Sequence, residues 1–319
     1  GRSPAARGSI LPAACAFAGK RFARKWARIV ALLAGNEARW HVAWRKIPLQ
    51  AATRLASREL QLAAFRLLED GGQRYFADPF LFVQTGTAHV FVEELPKATG
   101  KGIISHFTLA PDGTPSPVSP VLEAETHLSY PFVFEHEGAI YMLPESSAAG
   151  ALDLYRARRF PHEWEKCARL IEDPVHDATL FPHEGRLWIA AGSESFQSSS
   201  WDGLSLFYAD ALTGPWRAHP MNPVLIDAAA ARPAGALWRD DAGRLIRPAQ
   251  DCSDGYGSRL TLRAVTRLDP EGFAEVNVGT LFFPPRSGIL GPHTLSCGGG
   301  FEITDLFAPP SALRAGYRG

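Results

Sequence analysis

ADPFLFVQTGTAHVFVEE, from Ala77 to Glu94, is an apolar run, a Gly-containing turn and a second apolar run. The phrase returns as SYPFVFEHEGAIYMLPES from Ser129 and as DATLFPHEGRLWIAAGS from Asp177. It recurs as ARPAGALWRDDAGRLIRPAQD from Ala231 and, more faintly, as HTLSCGGGFEITD from His293. Successive copies begin roughly 50 to 60 residues apart, the period of propeller blades. Each turn (Thr85-Gly86-Thr87, Glu137-Gly138, Glu184-Gly185, Ala242-Gly243) closes a hairpin, because glycine adopts the positive φ that tight hairpin turns need. Further strands follow the hairpins in GIISHFTL, LDLYRARRF, LSLFYADAL and SRLTLRAVTRL, with no helical period between them. Three or four short strands per period predict an all-β, five-bladed β-propeller over residues 48–319. The stretch from Pro48 to Leu68 includes the partly helical pattern ATRLASRELQLAAFRLL and is read as a source of outer-strand material ahead of the first full blade, without a firm assignment.

A basic helical lead-in is expected over residues 1–47. Phe22, Trp26, Ile29, Val30 and Leu33 fall at helical spacing, with Lys20, Arg21, Arg24, Lys25 and Arg28 on the other faces. The helix reads as a linker docking on the domain or on an upstream one, the alternative being contact with an anionic membrane surface. Residues 10–19, ILPAACAFAG, superficially resemble a secretory signal, but the apolar stretch is short and broken by Pro12. The expected location is cytoplasmic, with secretion as the alternative. The chain begins at Gly1 without a Met, so it reads as a possible fragment of something longer.

Composition narrows the function. The 33 basic and 33 acidic residues balance, so no electrostatic footprint for nucleic acid exists. Cys15, Cys167, Cys252 and Cys297 are far apart and lack CxxC spacing, and read as buried or free thiols. No run approaches the length of a membrane-spanning helix. GxSxG, P-loop and HExxH patterns are missing, as is GxGxxG after a strand, and CGGG at Cys297 reads as a turn. His136 and His183, in EHEG and PHEG, read as solvated turn residues; no metal and no cofactor are expected.

The first strand of each propeller blade lines the central channel, so equivalent positions of the copies form a ring. Asp78, Tyr130 and Asp177 each stand four residues before the phenylalanine that ends their first run. Arg232 takes that place in the fourth copy, and His293 opens the fifth. Ionisable groups are rarely buried without partners, so such a ring suits a ligand site. The second strands give another ring: seven residues beyond the turn glycines stand Glu93, Glu145, Gly192 and Gln250, with Glu94, Glu194 and Asp251 close behind. The alternative for Asp78, Asp177 and Asp251 is that they cap turns or tie blades together. A polar cup of carboxylates and amides, with Arg232, Arg247 and His293 as donors, suits a sugar. Tyr130, Trp201, Trp216 and Tyr256 are candidates to cover its apolar face, Trp216 being equally a blade-packing residue. His127 joins the expected substrate-binding set. The polar loop 192–203 is placed either over the channel or free in solvent.

The segments ADPFLF, THLSYPFVFEHEGAIYMLPESS, LDLYRARRFPHEWE, LFYADALTGPW, ARPAGALWR and RPAQDCSDGYG together resemble the N-terminal domain family of glucosamine inositolphosphorylceramide transferases and its bacterial members. Some of those bacterial members follow a formyltransferase-like domain. The resemblance covers residues 70–295, and WHVAWR with the basic helix is similar to the lead-in of those members. More distantly the blades resemble the five-bladed superfamily of arabinanases, β-xylosidases, invertases and levansucrases. That resemblance implies a base or nucleophile at Asp78, in Asp78-Pro79, a pKa-tuning carboxylate at Asp177, and a channel histidine at His293. The general-acid Glu it implies at the opening of the fourth blade is replaced by Ala231-Arg232-Pro233-Ala234. Glu145 or Glu93 is left as the candidate acid, and Arg232 as a clamp for phosphate or carboxylate. The expected activity is glycoside cleavage or glycosyl-transfer-related chemistry, with Asp78, Glu145 and Asp177 catalytic, on a glycan or glycolipid headgroup. The alternatives are a non-catalytic glycan-binding module serving a neighbouring transferase domain and a protein-interaction propeller. In the plant proteins transferase chemistry belongs to a different, C-terminal domain.

Overall fold

A computed structural model of the protein describes residues 37–48, 58–194 and 198–316. Its strands form five separate, mainly antiparallel sheets, each a blade, as the repeat predicts. The first comprises Arg74–Gln84, Thr87–Pro96, Ile103–Leu109 and Ser119–Leu122, and the second Ser129–His136, Ala139–Glu145, Leu152–Arg159 and Glu163–Ile171. Val175–His183, Arg186–Ser193, Gly203–Ala209 and Arg217–Ala218 make the third, with Leu225–Ile226 also on its third strand. In the fourth, Trp238–Arg239, Leu245–Asp251, Arg259–Asp269 and Gly272–Phe282 are flanked by Arg58–Glu59, which pairs parallel to the outer edge. Leu295–Gly298, Phe301–Ala308, Arg39–Lys46 and Arg66–Leu67 build the fifth. Among the described residues no helix is long and apolar enough to cross a membrane.

Backbone sterics explain the hairpins. Thr85-Gly86, Glu137-Gly138, Glu184-Gly185 and Gly299-Gly300 all have positive φ at both central positions. Such turns match the right-handed twist of the flanking strands. CGGG therefore provides the fifth blade's hairpin.

The lead-in expected over residues 1–47 needs correction at its C-terminal end. Arg39–Lys46, which contains WHVAWR, is a strand registered along Phe301–Ala308 from Arg39↔Ala308 to Lys46↔Phe301. Its alternation explains this: Val42 and Trp44 pack in a cluster with Phe76, Phe107, Phe301 and Ile303. Residues 39–46 thus join the last blade at its C-terminal hairpin, and on their outer side Ala43 and Trp44 pair with Leu67 and Arg66. The expected basic helix lies outside the described residues. Residues 58–68, unassigned from sequence, give two short strands and a 3-10 turn at Leu62–Ala64 that pass from the fourth blade to the fifth.

Trp44 is buried, and its indole N–H donates to the Gly113 carbonyl of the first blade at 3.0 Å. Trp44→Ala should therefore lower unfolding free energy by about 3–5 kcal/mol in urea titration, through lost burial and an unfilled cavity. Val276→Ala, at a half-exposed outer-strand position, should stay within about 0.5 kcal/mol of wild type.

Candidate functional site at the channel mouth

Asp78, Tyr130 and Asp177 occupy equivalent bulges in three inner strands, where the register slips between Ala77 and Phe80, Ser129 and Phe132, and His176 and Thr179. Their φ angles are 48°, 45° and 52°. Left-handed backbone at a non-glycine residue costs about 1–3 kcal/mol and persists where its surroundings fix it. Here the surroundings are hydrogen bonds between blades. Asp78 Oδ2 accepts the Tyr130 N–H at 3.2 Å, Asp177 donates its N–H to Glu145 Oε2 at 3.0 Å, and Asp78 donates its own to Asp305 Oδ2 at 2.9 Å.

The predicted ring exists, but its members satisfy one another. Asp78 Oδ1 accepts from the Thr294 hydroxyl at 3.0 Å and lies 3.3 Å from His293 Nε2. His293 Nδ1 lies 2.6 Å from Asp305 Oδ2. Burial pushes the Asp78 carboxyl up to about 7, against the pull of His293. Burial alone would lower His293, but Asp305 and Asp78 raise it to about 9. These three side chains bring ligand-type atoms within 4.8 Å of one another, and the contacts above engage each of them, so they read as an internal bolt.

A second network joins blades two, three and four. Arg232 donates from Nε to Asp177 Oδ2 at 2.6 Å and from Nη2 to Asp177 Oδ1 at 3.3 Å. Its Nη1 donates to the Ser200 carbonyl at 3.0 Å, and its guanidinium lies 5.1 Å from the Tyr256 ring centre. Gln250 Nε2 adds a bond to Asp177 Oδ2 at 2.9 Å. Burial pushes Asp177 up, and Arg232 opposes it. Burial would also raise Glu145, but His176, Arg232 and the Asp177 N–H bring it down to about 2.

This geometry sorts the expected residues. Arg232 is not an open clamp for an anion, since all three guanidinium nitrogens have protein partners. Glu145 is held ionised near neutral pH, which removes the proton donor proposed there. Tyr130 is fully buried; its hydroxyl bonds Thr179 Oγ1 at 2.9 Å and accepts the Gly235 N–H at 2.7 Å, so it braces the channel and offers no stacking face. Arg247 is also buried, pairing with Glu275 and donating to the carbonyls of Ala230 and Ala231. Asp251 accepts from Ser253 and pairs with Arg259, as a turn cap. Glu94 pairs with Arg74 and Ser105, and Trp216 donates to Leu212 O and packs in the blade core.

The remaining groups form an open rim. Glu93 Oε1 lies 2.9 Å from His127 Nε2, while the Gly102 N–H occupies His127 Nδ1 at 3.0 Å. The hydrogen bond to Glu93 raises the His127 pKa. Glu145 Oε1 lies 3.2 Å from His176 Nδ1, and Glu194 lies 3.7 Å from His176 Nε2. The third, fourth and fifth blades contribute aromatic rings. Tyr256 lies 5.6 Å from Trp201 and 6.2 Å from Trp40, and Trp40 stacks on His293 at 3.9 Å. Trp201 is 45% exposed, and the neighbouring Ser200 carbonyl meets Arg232, so residues 198–203 reach the mouth. Carboxylates and imidazoles together with aromatic faces suit a polyol with one apolar face.

Sequence reasoning missed Asp305, Trp40 and His176. Asp305 ends the second run of the fifth copy but stands five residues beyond the turn glycine Gly300, so the seven-residue rule that selected Glu93 and Glu145 passes over it. Trp40 carries no such signal, because its strand joins the last blade from the opposite end of the chain. His176 precedes the bulge residue and shares no residue type with Ala77 or Ser129.

Comparison with known proteins shows the chain's family and its fold. A sequence profile described as "Glucosamine inositolphosphorylceramide transferase 1, N-terminal" matches residues 66–289. Glucosamine inositolphosphorylceramide transferase 1 of Arabidopsis thaliana is 35% identical over 218 residues, 67% of this chain and 28% of that protein. Its namesake in Oryza sativa subsp. japonica is 36% identical over 215 residues, 66% of this chain and 29% of that protein. The chain thus spans less than a third of these relatives' length. A family 117 glycoside hydrolase of Zobellia galactanivorans superposes with a TM-score of 0.52 at 14% identity, over 83% of this chain and 89% of that one. An exo-β-1,3-galactanase of Clostridium thermocellum gives 0.52 at 9% identity, over 68% of this chain and 54% of that one. At such identities the likeness shows the fold alone.

The bolt makes stability pH-dependent. His293 is raised from 6.5 to about 9 in the fold, so its contribution is complete below pH 6.5 and is lost as pH rises through 9. Asp78, raised from 3.8 to about 7, acts in the same direction at lower pH. Urea midpoints should therefore fall between pH 6.5 and 9, by about 3 kcal/mol in unfolding free energy. His293→Gln should flatten that slope while lowering stability throughout. Glu145 works oppositely: lowered from 4.5 to about 2, its contribution is present above pH 4.5 and disappears as pH falls toward 2, a limb that Glu145→Gln should remove.

Proposed function

The chain belongs to the family of N-terminal domains of glucosamine inositolphosphorylceramide transferase 1, and from that premise we propose that its channel mouth binds the sugar end of a glycan or glycolipid headgroup. In this reading the propeller is a recognition module for a neighbouring transferase domain. The observation that carries it is the mixed composition of the rim: the partly exposed Trp201 packs with Tyr256, which neighbours Trp40, while Glu93–His127 and Glu145–His176 supply polar partners. A pyranose lays its apolar face on the rings and directs hydroxyls to the carboxylates. Charge refines the ligand. The rim's own carboxylates, Glu93, Glu145 and Glu194, are partnered by the imidazoles of His127 and His176, while the Arg232 guanidinium is taken up by Asp177. A neutral or amine-bearing sugar is therefore favoured over a phosphate or uronate, in keeping with the glucosamine in the relatives' name.

A glycosidase reading has one observation in its favour, the Asp78 carboxyl poised at about 7. Against it stand the ionised Glu145 and the Arg232–Asp177 pair in the place where the fold's hydrolytic relatives are expected to carry an acid. Binding without turnover is the better-supported function.

Isothermal titration with amine-bearing, neutral and anionic monosaccharides and short glycosides tests this. The amine-bearing sugar should bind best and the uronate worst. Trp201→Ala should weaken binding by about tenfold with little change in melting temperature, because that indole is half-exposed. Wild type should turn over none of the glycosides. Absence of binding across the panel would refute the proposal, and turnover that Asp78→Asn abolishes while binding persists would establish the hydrolytic reading.

A further inference from the structure

Below the bolt, three inner strands continue toward the hairpin end of the channel and enclose a separate cavity of about 240 Å³. Its walls are apolar, with Leu81 from the first blade, Leu237 from the fourth and Leu295 from the fifth. Its polar residues are Trp238, Ser296, Cys297 and, exposed at its edge, Arg239, which also borders a surface pocket with Glu137, Glu184 and Asp210. Among the described residues no carboxylate or amide side chain lines it. The mouth is rich in acceptors; this cavity offers donors.

Those donors are incompletely satisfied. Trp238 Nε1 is buried without a hydrogen-bond partner, which costs about 1–3 kcal/mol. Ser296 Oγ accepts the Leu81 N–H at 2.9 Å, an arrangement that leaves its own proton for another acceptor. Arg239 donates to the Gly243 carbonyl at 2.9 Å and lies 3.4 Å from His183 Nδ1. It has no carboxylate partner among the described residues. A group that accepts several hydrogen bonds and carries negative charge answers all three. The apolar walls require a hydrocarbon body behind it. The volume falls below the roughly 300–1,000 Å³ of drug-sized sites, which restricts that body to a short chain.

We propose that the hairpin end of the channel is a second binding site, for a short-chain alkyl carboxylate, with the carboxylate at Arg239, Trp238 and Ser296 and the alkyl chain between Leu81, Leu237 and Leu295. The site shares no side chain with the sugar-binding mouth and stands independently of it.

Titration calorimetry of the 319-residue chain with octanoate and with 1-octanol tests it. Octanoate should bind saturably and more tightly than the alcohol. Arg239→Gln should weaken octanoate by about tenfold and leave 1-octanol unchanged, which also certifies the variant's fold. Trp238→Phe should weaken octanoate severalfold. Ala236→Phe, which places a ring in the cavity, should abolish binding of both while the near-ultraviolet circular dichroism stays native. The proposal is overturned if neither ligand binds, if octanoate binds no better than octanol, if Arg239→Gln binds octanoate like wild type, or if folded Ala236→Phe does so. Should Ala236→Phe fail to fold, the Arg239→Gln comparison decides alone.

Discussion

A ring of five sheets must hold its first blade to its last, and at the channel the Asp305 carboxylate makes that junction. It accepts the backbone N–H groups of Asp78, His293 and Thr294 and lies against the His293 imidazole. A fully buried carboxylate with three backbone donors and a cation is well compensated. Asp78, fixed on one side by Asp305, then accepts the Tyr130 N–H on the other, so the junction extends into the second blade. The outer ladder of Arg39–Lys46 along Phe301–Ala308 completes the closure. Two segments far apart in sequence, 39–46 and 301–308, thereby meet in one blade, and Trp40 arrives at the mouth because its strand is needed there for closure.

The same economy of partners governs the site. Residues that would be reactive in isolation are paired within the ring: Asp177 with Arg232, Asp78 with Thr294 and His293, Tyr130 with Thr179 and Gly235. Left-handed bulges aim the three inner-strand residues inward, and inter-blade bonds hold those bulges in place. What remains open to a ligand is the next layer outward, where carboxylates carry histidine partners and the aromatic rings are partly exposed. The propeller therefore separates two tasks, internal charge pairing that fastens the blades and a rim that meets solvent.

Most of the architecture was legible because it repeats. Apolar runs around glycine turns define hairpins whatever their side-chain detail, and five copies at propeller spacing define five blades. The ring of Asp78, Tyr130, Asp177, Arg232 and His293 followed from alignment of those copies. What alignment could not supply was pairing. Whether Arg232 meets a ligand or Asp177 depends on the distance between adjacent blades, which periodicity does not encode. Arg247 and Asp251 were misjudged for the same reason, since their partners Glu275 and Arg259 lie on neighbouring outer strands outside the repeated phrase. The strand Arg39–Lys46 was hidden by its place in the chain: an isolated alternating run has no visible partner until the far C-terminal hairpin is folded beside it.

The central claim is that a sugar sits at the mouth against the aromatic and carboxylate groups of the rim. A crystal structure of the protein with its best-binding monosaccharide tests this most directly. The account predicts a ring stacked on Trp201 or Tyr256, with its polar groups bonded to Glu93 and Glu145 and the Asp177–Arg232 pair intact beneath it. A sugar bound elsewhere on the surface, or one that enters by breaking the Asp177–Arg232 pair, would contradict it.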